Sequence, residues 1–275
     1  MLTIEERRAA RSALIEQPPP AAPEPVEDTT LAAAEPEPLV LSAPGPDRPA
    51  RRQALTEKHR PRTLAQVMGQ PEAVRRLSAF AAAPYPTAFV LAGDTGTGKT
   101  SAAWALAADL GCDIDAQPVE FGGVESIPSG EHTPAVLQDL WPKLWTMPFQ
   151  SRDGWRVLIV NEVERIGGKV ELLWLDRLED MPSKLVIVFT TNDVSSLPDR
   201  FLDRCIGGVI EFASAADDLG PAARDLAAAV WREETGGAIP PAVLEEVTTR
   251  AIRAGRLSFR RVVQALVPLI AAKGR

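Results

Sequence analysis

Residues 88–110 read AFVLAGDTGTGKTSAAWALAADL, and this stretch is the strongest indication of the fold class. A short apolar run leads into Gly93–Thr100, which fits the pattern GxxxxGK[ST] at every defined position, and an Ala- and Leu-rich segment of helical length follows. Glycines let the backbone N–H groups of such a loop close around phosphates, and the start of the next helix favours anions. The stretch therefore predicts a strand, a triphosphate-binding loop and a helix.

The loop also predicts which side chains meet the ligand. Lys99 would neutralise the β- and γ-phosphates, and the Thr100 hydroxyl would ligate Mg²⁺. We therefore expect ATP and Mg²⁺ as cofactors. The residues predicted to bind the nucleotide are Gly93, Asp94, Thr95, Gly96, Thr97, Gly98, Lys99, Thr100 and Ser101.

Further apolar runs of strand length alternate with helix-length segments, which predicts an α/β fold with a five-stranded parallel sheet covered on both faces. With 88–93, the predicted strands are PVEF (118–121), RVLIV (156–160), LVIVFTT (185–191) and GGVIEF (207–212). The predicted helices between them are 100–110, 134–146 and 169–179. Three more helices, at 220–235, 240–254 and 256–271, are expected to form a small all-α lid domain, whereas 122–133 is expected to be a solvent-exposed loop.

The proline content divides the chain. Ten of its 25 prolines lie within residues 1–50, in a stretch without aromatic residues or periodicity. Such a composition buries too little apolar surface to offset the entropy of ordering, so we predict a disordered arm, either a solvated tail or a docking segment. The predicted domains are the arm (1–54), an α/β nucleotide-binding domain (55–212) and the lid (213–275).

Composition excludes several classes of protein. The 275 residues carry a net charge of −7, which argues against a freestanding nucleic-acid binder. Two cysteines and two histidines are too few for a disulfide framework or a His-based metal site. No apolar run reaches the roughly 18 residues of a membrane span, and the N-terminus lacks the apolar core of a secretory signal. We therefore expect a cytoplasmic location.

Polar residues follow two of the predicted strands. Asn161 and Glu162 come after RVLIV, and Asn192 comes after LVIVFTT. In P-loop ATPases an acid at the first position holds Mg²⁺ and the next acid activates the attacking water. We predict Thr100 and Asn161 as metal ligands, Glu162 as general base and Asn192 as the group that orients water. Asn161 supplies no negative charge, so we expect weaker Mg²⁺ binding and slower hydrolysis; alternatively, these residues simply end core strands.

Arg204 stands in the segment Leu197-Pro-Asp-Arg-Phe-Leu-Asp203-Arg204-Cys205, just before the last predicted strand. An exposed arginine here has two interpretations. It completes the phosphate site of a neighbouring subunit as an arginine finger, or it forms an ordinary surface salt bridge.

In their order these motifs resemble the AAA+ clamp-loader subunits, the group of replication factor C small subunits and DNA polymerase III γ/τ subunits. The segment Glu57-Lys-His59-Arg-Pro-Arg-Thr-Leu-Ala-Gln-Val-Met-Gly69-Gln70 resembles the EKYRP…L..V.GQ segment before their P-loop, and the resemblance covers about residues 55–275. It implies the AAA+ fold, a nucleotide between the α/β domain and a lid, and catalysis completed by a neighbour. By that match Asn192 is the sensor-1 residue and Arg204 the arginine finger. The implied partners are other AAA+ subunits, DNA and a sliding clamp.

Departures from the family pattern keep its function open. His59 replaces a Tyr, and Asp203 replaces a Ser beside Arg204 and is expected to sequester it. Gly122-Gly123 stands where we expect the end of the second strand, at which clamp loaders carry an Asn that communicates DNA binding to the catalytic Glu. In the lid, Gly255-Arg-Leu-Ser-Phe-Arg260-Arg departs from the Gly-x-Leu-Arg-Arg pattern, so no single nucleotide-sensing Arg is assigned.

Three functions therefore remain. The first is an ATP hydrolase that remodels a DNA-replication or repair complex. The second is a nucleotide-binding regulatory or scaffold subunit with little hydrolysis. The third is a motor of the Holliday-junction branch-migration type. Because the chain ends at Arg275, we expect neither the helical collar of clamp loaders nor the winged-helix domain that such motors normally add.

Overall fold

A computed structural model describes residues 54–273. The predicted proline-rich arm lies outside the described residues, apart from Ala54. Within 54–273, no helix is both long and apolar enough to span a bilayer.

A five-stranded parallel sheet forms the centre of the fold, as predicted. Its strands in chain order are β1 (Thr87–Ala92), β2 (Val124–Ile127), β3 (Arg156–Val160), β4 (Leu185–Thr191) and β5 (Gly208–Glu211). They lie side by side in the order β2-β3-β4-β1-β5. Strand β1, which leads into the P-loop, therefore lies between β4 and β5, so polar residues that follow β4 emerge directly beside the loop.

Helices cover both faces of this sheet. The short helix α1 (Leu55–Lys58) precedes them and has no buried residue. The helices on the sheet are α2 (Pro71–Ala82), α3 (Lys99–Asp109), α4 (Pro134–Leu144), α5 (Gly168–Glu179) and α6 (Asp199–Leu202). Side chains of β1 alternate: Phe89 and Leu91 pack with α2 and α3, and Val90 packs on the other face with α4, α5 and α6. Since both faces are buried, the strands read as nearly continuous apolar runs.

The second strand corrects the prediction. The predicted strand 118–121 is wrong, because Val119–Gly122 form a 3₁₀ turn and β2 lies within 122–133, the segment expected to be a loop. Pro118 has no N–H to donate to a ladder, and Phe121 remains 53% exposed. The β2 ladder begins where the Val157 N–H donates to the Gly123 carbonyl at 2.8 Å.

Three helices follow the sheet and enclose a core of their own. They are α7 (Ala216–Thr235), α8 (Pro241–Ala251) and α9 (Phe259–Lys273), with Leu219, Trp231, Val247 and Leu266 among the buried side chains. The predicted helices 240–254 and 256–271 are wrong at their facing ends. There the short antiparallel strands β6 (Ile252–Arg253) and β7 (Arg256–Leu257) form a hairpin. Gly255, with φ of 73°, favours this turn over a continuing helix.

Candidate active site

A cavity of about 750 Å³ lies between the carboxyl edge of the sheet, the segment around α1 and the lid helices α7 and α9. Its size is in the range of small-molecule sites. Among the residues predicted to bind nucleotide or metal, those lining it are Thr95, Gly96, Thr97, Gly98, Lys99, Thr100, Ser101 and Asn161. The proposed catalytic residues Glu162 and Asn192 line it as well, whereas Gly93, Asp94 and Arg204 do not.

Two glycines of the loop are required by its path. Gly93 has φ of 144°, and a Cβ added there would lie 2.6 Å from the Phe212 carbonyl oxygen. At Gly96, with φ of 84°, a Cβ would lie 2.0 Å from the Ser258 hydroxyl oxygen. The Phe259 N–H also donates to the Gly96 carbonyl at 2.9 Å. The loop is thus held against the first residues of lid helix α9.

The Lys99 ammonium is turned into the loop. It donates to the carbonyls of Gly93 at 2.5 Å and Asp94 at 2.9 Å, and to Asn192 Oδ1 at 3.1 Å. Burial lowers the pKa of Lys99 to about 8, although the nearby Glu164 and Asp94 carboxylates oppose this shift. Gly93 and Asp94 therefore serve the site through backbone oxygens that hold the lysine.

Thr100 and Asn161 meet at the cavity edge. The Thr100 hydroxyl donates to Asn161 Oδ1 at 2.9 Å. The Asn161 amide nitrogen is 3.3 Å from both the Ser126 hydroxyl and the Ile127 carbonyl, an acceptor only, so the amide oxygen must face Thr100. Hydroxyl and amide oxygens are ligands that Mg²⁺ accepts alongside water and phosphate. The pair fits a Mg²⁺ ion without contributing negative charge.

Glu162 occupies an unusual backbone conformation at the end of β3. Its φ of 55° lies in the left-handed region, which costs a non-glycine residue energy and often marks a functional site. Its carboxylate accepts a hydrogen bond from the Ser129 hydroxyl and lies 3.0 Å from Arg165 Nε. The sequence analysis placed Gly122-Gly123 at the end of the second strand, and that prediction is wrong because the two glycines precede β2. The residue that follows β2 and reaches Glu162 is Ser129, which the sequence analysis missed for this reason.

Asn192, beyond the end of β4, touches both the loop and a second acid. Its Oδ1 accepts from Lys99 and, at 3.3 Å, from the Thr95 hydroxyl. Its amide nitrogen donates to Glu164 Oε1 at 2.9 Å, and its backbone N–H donates to the same oxygen at 3.2 Å. Sequence reasoning gave Glu164 no role, although it stands in the same acidic run as Glu162.

The lid brings two arginines toward the loop. Arg256 lies 2.5 Å from Asp94 Oδ1, and Arg260 lines the cavity near the Lys99 ammonium, whose pKa it lowers. Arg256 is thus already paired, and Arg260 is the lid cation that faces the phosphate-binding loop. The sequence pattern left this choice open because Arg260 stands beyond the family position.

The segment before the P-loop is tied to both halves. His59 Nε2 is 2.7 Å from Glu234 Oε1 on α7. The buried Gln70 donates to the carbonyls of Thr97 and Ala213, at 3.3 and 2.9 Å, and accepts from the Ala213 N–H at 2.8 Å. The Gly-Gln pair quoted from the sequence therefore connects the loop to the chain that leads into the lid.

Arg204 stands apart from the cavity. Its guanidinium binds the Glu179 carboxylate on α5, with Nε at 2.9 Å. We expected Asp203 to sequester this arginine, and that expectation is wrong: no described contact joins their side chains, and the partner comes from the neighbouring helix.

This geometry agrees with the comparisons. Residues 89–211, from β1 to β5, match the model of the ATPase family associated with various cellular activities (AAA). The chain carries an AAA-family domain.

The relatives of this AAA domain confirm the clamp-loader resemblance. DNA polymerase III subunit gamma of Buchnera aphidicola is 24% identical over 181 residues, covering 60% of this chain and 49% of its own length. The replication factor C small subunit of Haloarcula marismortui is 26% identical over 172 residues, covering 62% and 50%. The chain thus spans about half the length of these relatives.

A solved structure shares the AAA fold. The Holliday-junction branch-migration motor RuvB of Thermotoga maritima superposes with a TM-score of 0.53 at 19% identity, covering 76% of this chain and 72% of that chain. At this identity the likeness concerns the fold alone.

Proposed function

We propose that this chain binds ATP with Mg²⁺ in the cavity and hydrolyses it as a subunit of an AAA+ assembly that remodels a DNA-replication or repair complex. The observation that carries the proposal is the convergence of Lys99, the Thr100–Asn161 pair and Asn192 on one cavity at the carboxyl edge of the sheet. Ligands of open α/β sheets bind at this edge.

The loop residues bind the triphosphate. Backbone N–H groups from Gly96 to Thr100 surround the phosphates, and the start of α3 adds favourable partial charge. The Lys99 ammonium leaves its carbonyl partners for phosphate oxygens, which accept stronger, charge-assisted hydrogen bonds. Arg260 adds a second cation from the lid side.

Thr100 and Asn161 are the residues that would hold Mg²⁺. The ion supplies positive charge that stabilises the charge developing on the phosphate oxygens. Because both protein ligands are neutral, the phosphates supply most of the negative charge that retains the ion.

Hydrolysis transfers the γ-phosphoryl group to water. The water oxygen forms a bond to the γ-phosphorus while the bond from that phosphorus to the bridging oxygen breaks, and the water proton passes to Glu162. To accept the proton, the Glu162 carboxylate gives up its contact with Arg165, an exposed pair that contributes about 0–1 kcal/mol. Asn192 positions the water.

Arg204 completes the site of a neighbouring subunit after leaving Glu179. This role, and the partners proposed here, namely other AAA+ subunits, DNA and a sliding clamp, are inferred from the resemblance to clamp-loader subunits. The cavity holds one nucleotide per chain, so turnover that depends on Arg204 requires assembly.

A second function is favoured by the site itself. Asn161 is neutral, Glu162 is paired with Arg165, and Arg204 is paired with Glu179. A regulatory or scaffold subunit would use the same cavity to bind ATP and hydrolyse little of it.

Phosphate release separates the two functions. We expect the wild-type chain to turn over ATP, with stimulation by primed DNA and a sliding clamp, and Glu162→Gln to bind ATP with unchanged affinity but lose turnover. The matched control is Glu72→Gln, which changes an exposed acid on α2 whose partner among the described residues is Arg75. ATP binding without turnover in wild-type particles that hold more than one chain, with and without DNA and clamp, would establish the scaffold function instead.

A further inference from the structure

Glu164 holds a position that none of the roles above uses. One of its oxygens, Oε1, accepts both the side-chain and the backbone N–H of Asn192. The other, Oε2, is shielded from solvent and has no hydrogen-bond partner within residues 54–273. A buried unpartnered carboxylate oxygen is costly, so its presence beside the cavity calls for a function.

The contacts around Asn192 determine which way its amide points. A carboxylate only accepts hydrogen bonds and an ammonium only donates them. With the amide nitrogen on Glu164 and Oδ1 on Lys99, both contacts are favourable. Turning the amide over would place its oxygen against the carboxylate and its NH₂ group against the ammonium, so both contacts would become repulsive.

Nucleotide binding removes one of these two constraints. When Lys99 turns to the phosphates, its contact with Asn192 Oδ1 is lost, and the Glu164 contact remains to hold the amide. Glu162 does not serve this purpose, because its carboxylate binds Ser129 and Arg165.

We propose that Glu164 is a positioning residue for ATP hydrolysis, which holds the Asn192 amide with Oδ1 toward the γ-phosphate and its attacking water. The proposal rests on the proposed function. Held this way, Asn192 accepts a hydrogen bond from the water rather than donating one to the phosphate. One O–H of the water then points at Asn192 Oδ1 and the other at the Glu162 carboxylate, so the second proton is free to pass to Glu162.

Kinetics of Glu164→Ala test the role directly. A charge-assisted hydrogen bond of this type contributes about 1.5–3 kcal/mol, so kcat should fall on the order of 10- to 100-fold if that bond is needed in the transition state. Measured at about pH 6.5, well below the pKa of Lys99, the ATP dissociation constant should stay within about threefold, because Glu164 makes no described hydrogen bond to a phosphate-binding group except through Asn192. Glu72→Gln, the exposed control, should leave both unchanged. An unchanged kcat in Glu164→Ala would overturn the proposal.

An exchange of donor and acceptor distinguishes positioning from mere structural support. Asn192→Asp alone places two carboxylates together and should lower kcat further than Glu164→Gln alone. In the double variant Glu164→Gln with Asn192→Asp, the glutamine Oε1 still accepts from the backbone N–H of residue 192 while its NH₂ donates to the aspartate, and the other aspartate oxygen accepts from water. We expect the double variant to recover at least about tenfold over Asn192→Asp. No recovery would contradict the proposal.

A spectroscopic measurement separates this proposal from the hydrolysis on which it rests. In ¹⁵N–¹H spectra of the wild-type chain with a non-hydrolysable ATP analogue and Mg²⁺, the Asn192 side-chain amide, assigned by its loss in Asn192→Ala, should show a proton shifted by the carboxylate. The shift should disappear in Glu164→Ala. If the Asn192 amide proton is shifted in a chain that does not hydrolyse ATP, the proposed hydrolysis is refuted and the contact between Glu164 and Asn192 is supported. If the amide proton is not shifted, the proposed role of Glu164 is refuted.

Discussion

Lys99 links the chemistry of the loop to pH. It is only 8% exposed, and burial lowers its pKa to about 8. Bound phosphates favour the ammonium form. Below this pKa Lys99 already carries its proton, so ATP binding takes up no proton. Above it, ATP binding must also protonate the amine.

We therefore expect ATP affinity to fall by up to about tenfold per pH unit above pH 8. Calorimetry in buffers of different ionisation enthalpy should detect close to one proton taken up at about pH 9 and close to none at about pH 6.5. Equal proton uptake at the two values would show that Lys99 keeps an ordinary pKa or lies away from the phosphates.

Asn161 is one of the two residues proposed to hold Mg²⁺. We expect Asn161→Asp to lower the Mg²⁺ concentration required for half-maximal ATP turnover and to raise the rate, because a carboxylate adds charge beside the Thr100 hydroxyl. The Asn161→Asp variant also loses the two 3.3 Å contacts that the amide nitrogen makes with Ser126 and Ile127. A slower variant would show that this amide geometry matters more than the added charge; Asp139→Asn, on the outer surface of α4, is the control.

Arg204, the proposed arginine finger, follows α6 and is paired with Glu179 at the end of α5. The Arg204–Glu179 pair is partly exposed, with side chains 34% and 60% accessible, so separating it costs little, about 0–1 kcal/mol. Glu179→Gln should therefore raise turnover of the assembled protein less than about fivefold, and Arg204→Ala should lower it much more. Glu171→Gln, which frees Arg200 instead, is the matched control. Light scattering with ATP must first detect more than one chain per particle; unchanged turnover of Arg204→Ala in such particles would refute the finger role.

The same elements indicate what local sequence can and cannot predict. The runs at 156–160 and 185–191 predicted β3 and β4 residue for residue, because strands buried on both faces carry an unbroken apolar signal. Strand β2 has four residues at the sheet edge, with Glu125 in its interior, and its composition resembles that of a loop. Its pairing with β3 is decided by contacts distant in sequence.

Side-chain partners were harder to predict than positions. The sequence placed Asn161, Glu162 and Asn192 at the ends of strands, and the parallel sheet brought them to one edge. It did not reveal that Glu164 would bind Asn192, or that Glu179 rather than Asp203 would bind Arg204. Those pairs depend on the turn Val163–Arg165 and on the packing of α5 against α6.

In the molecule as a whole, the described residues unite an α/β core and a three-helix lid around one cavity. Gln70, the Phe259–Gly96 hydrogen bond and the Arg256–Asp94 pair connect the two around the P-loop. A ligand that displaces the Lys99 contacts therefore acts on a loop that the lid also touches. This arrangement gives nucleotide binding a direct physical route to lid movement.

Every role proposed above requires that this cavity bind ATP through Lys99 of the P-loop. Calorimetric titration of the full chain with ATP and Mg²⁺ tests it most directly. Wild type and Lys143→Ala, a change on the surface of α4, should each bind one nucleotide per chain with the same affinity, whereas Lys99→Ala should show no measurable binding. Equal ATP affinity of Lys99→Ala and the wild type would contradict the account.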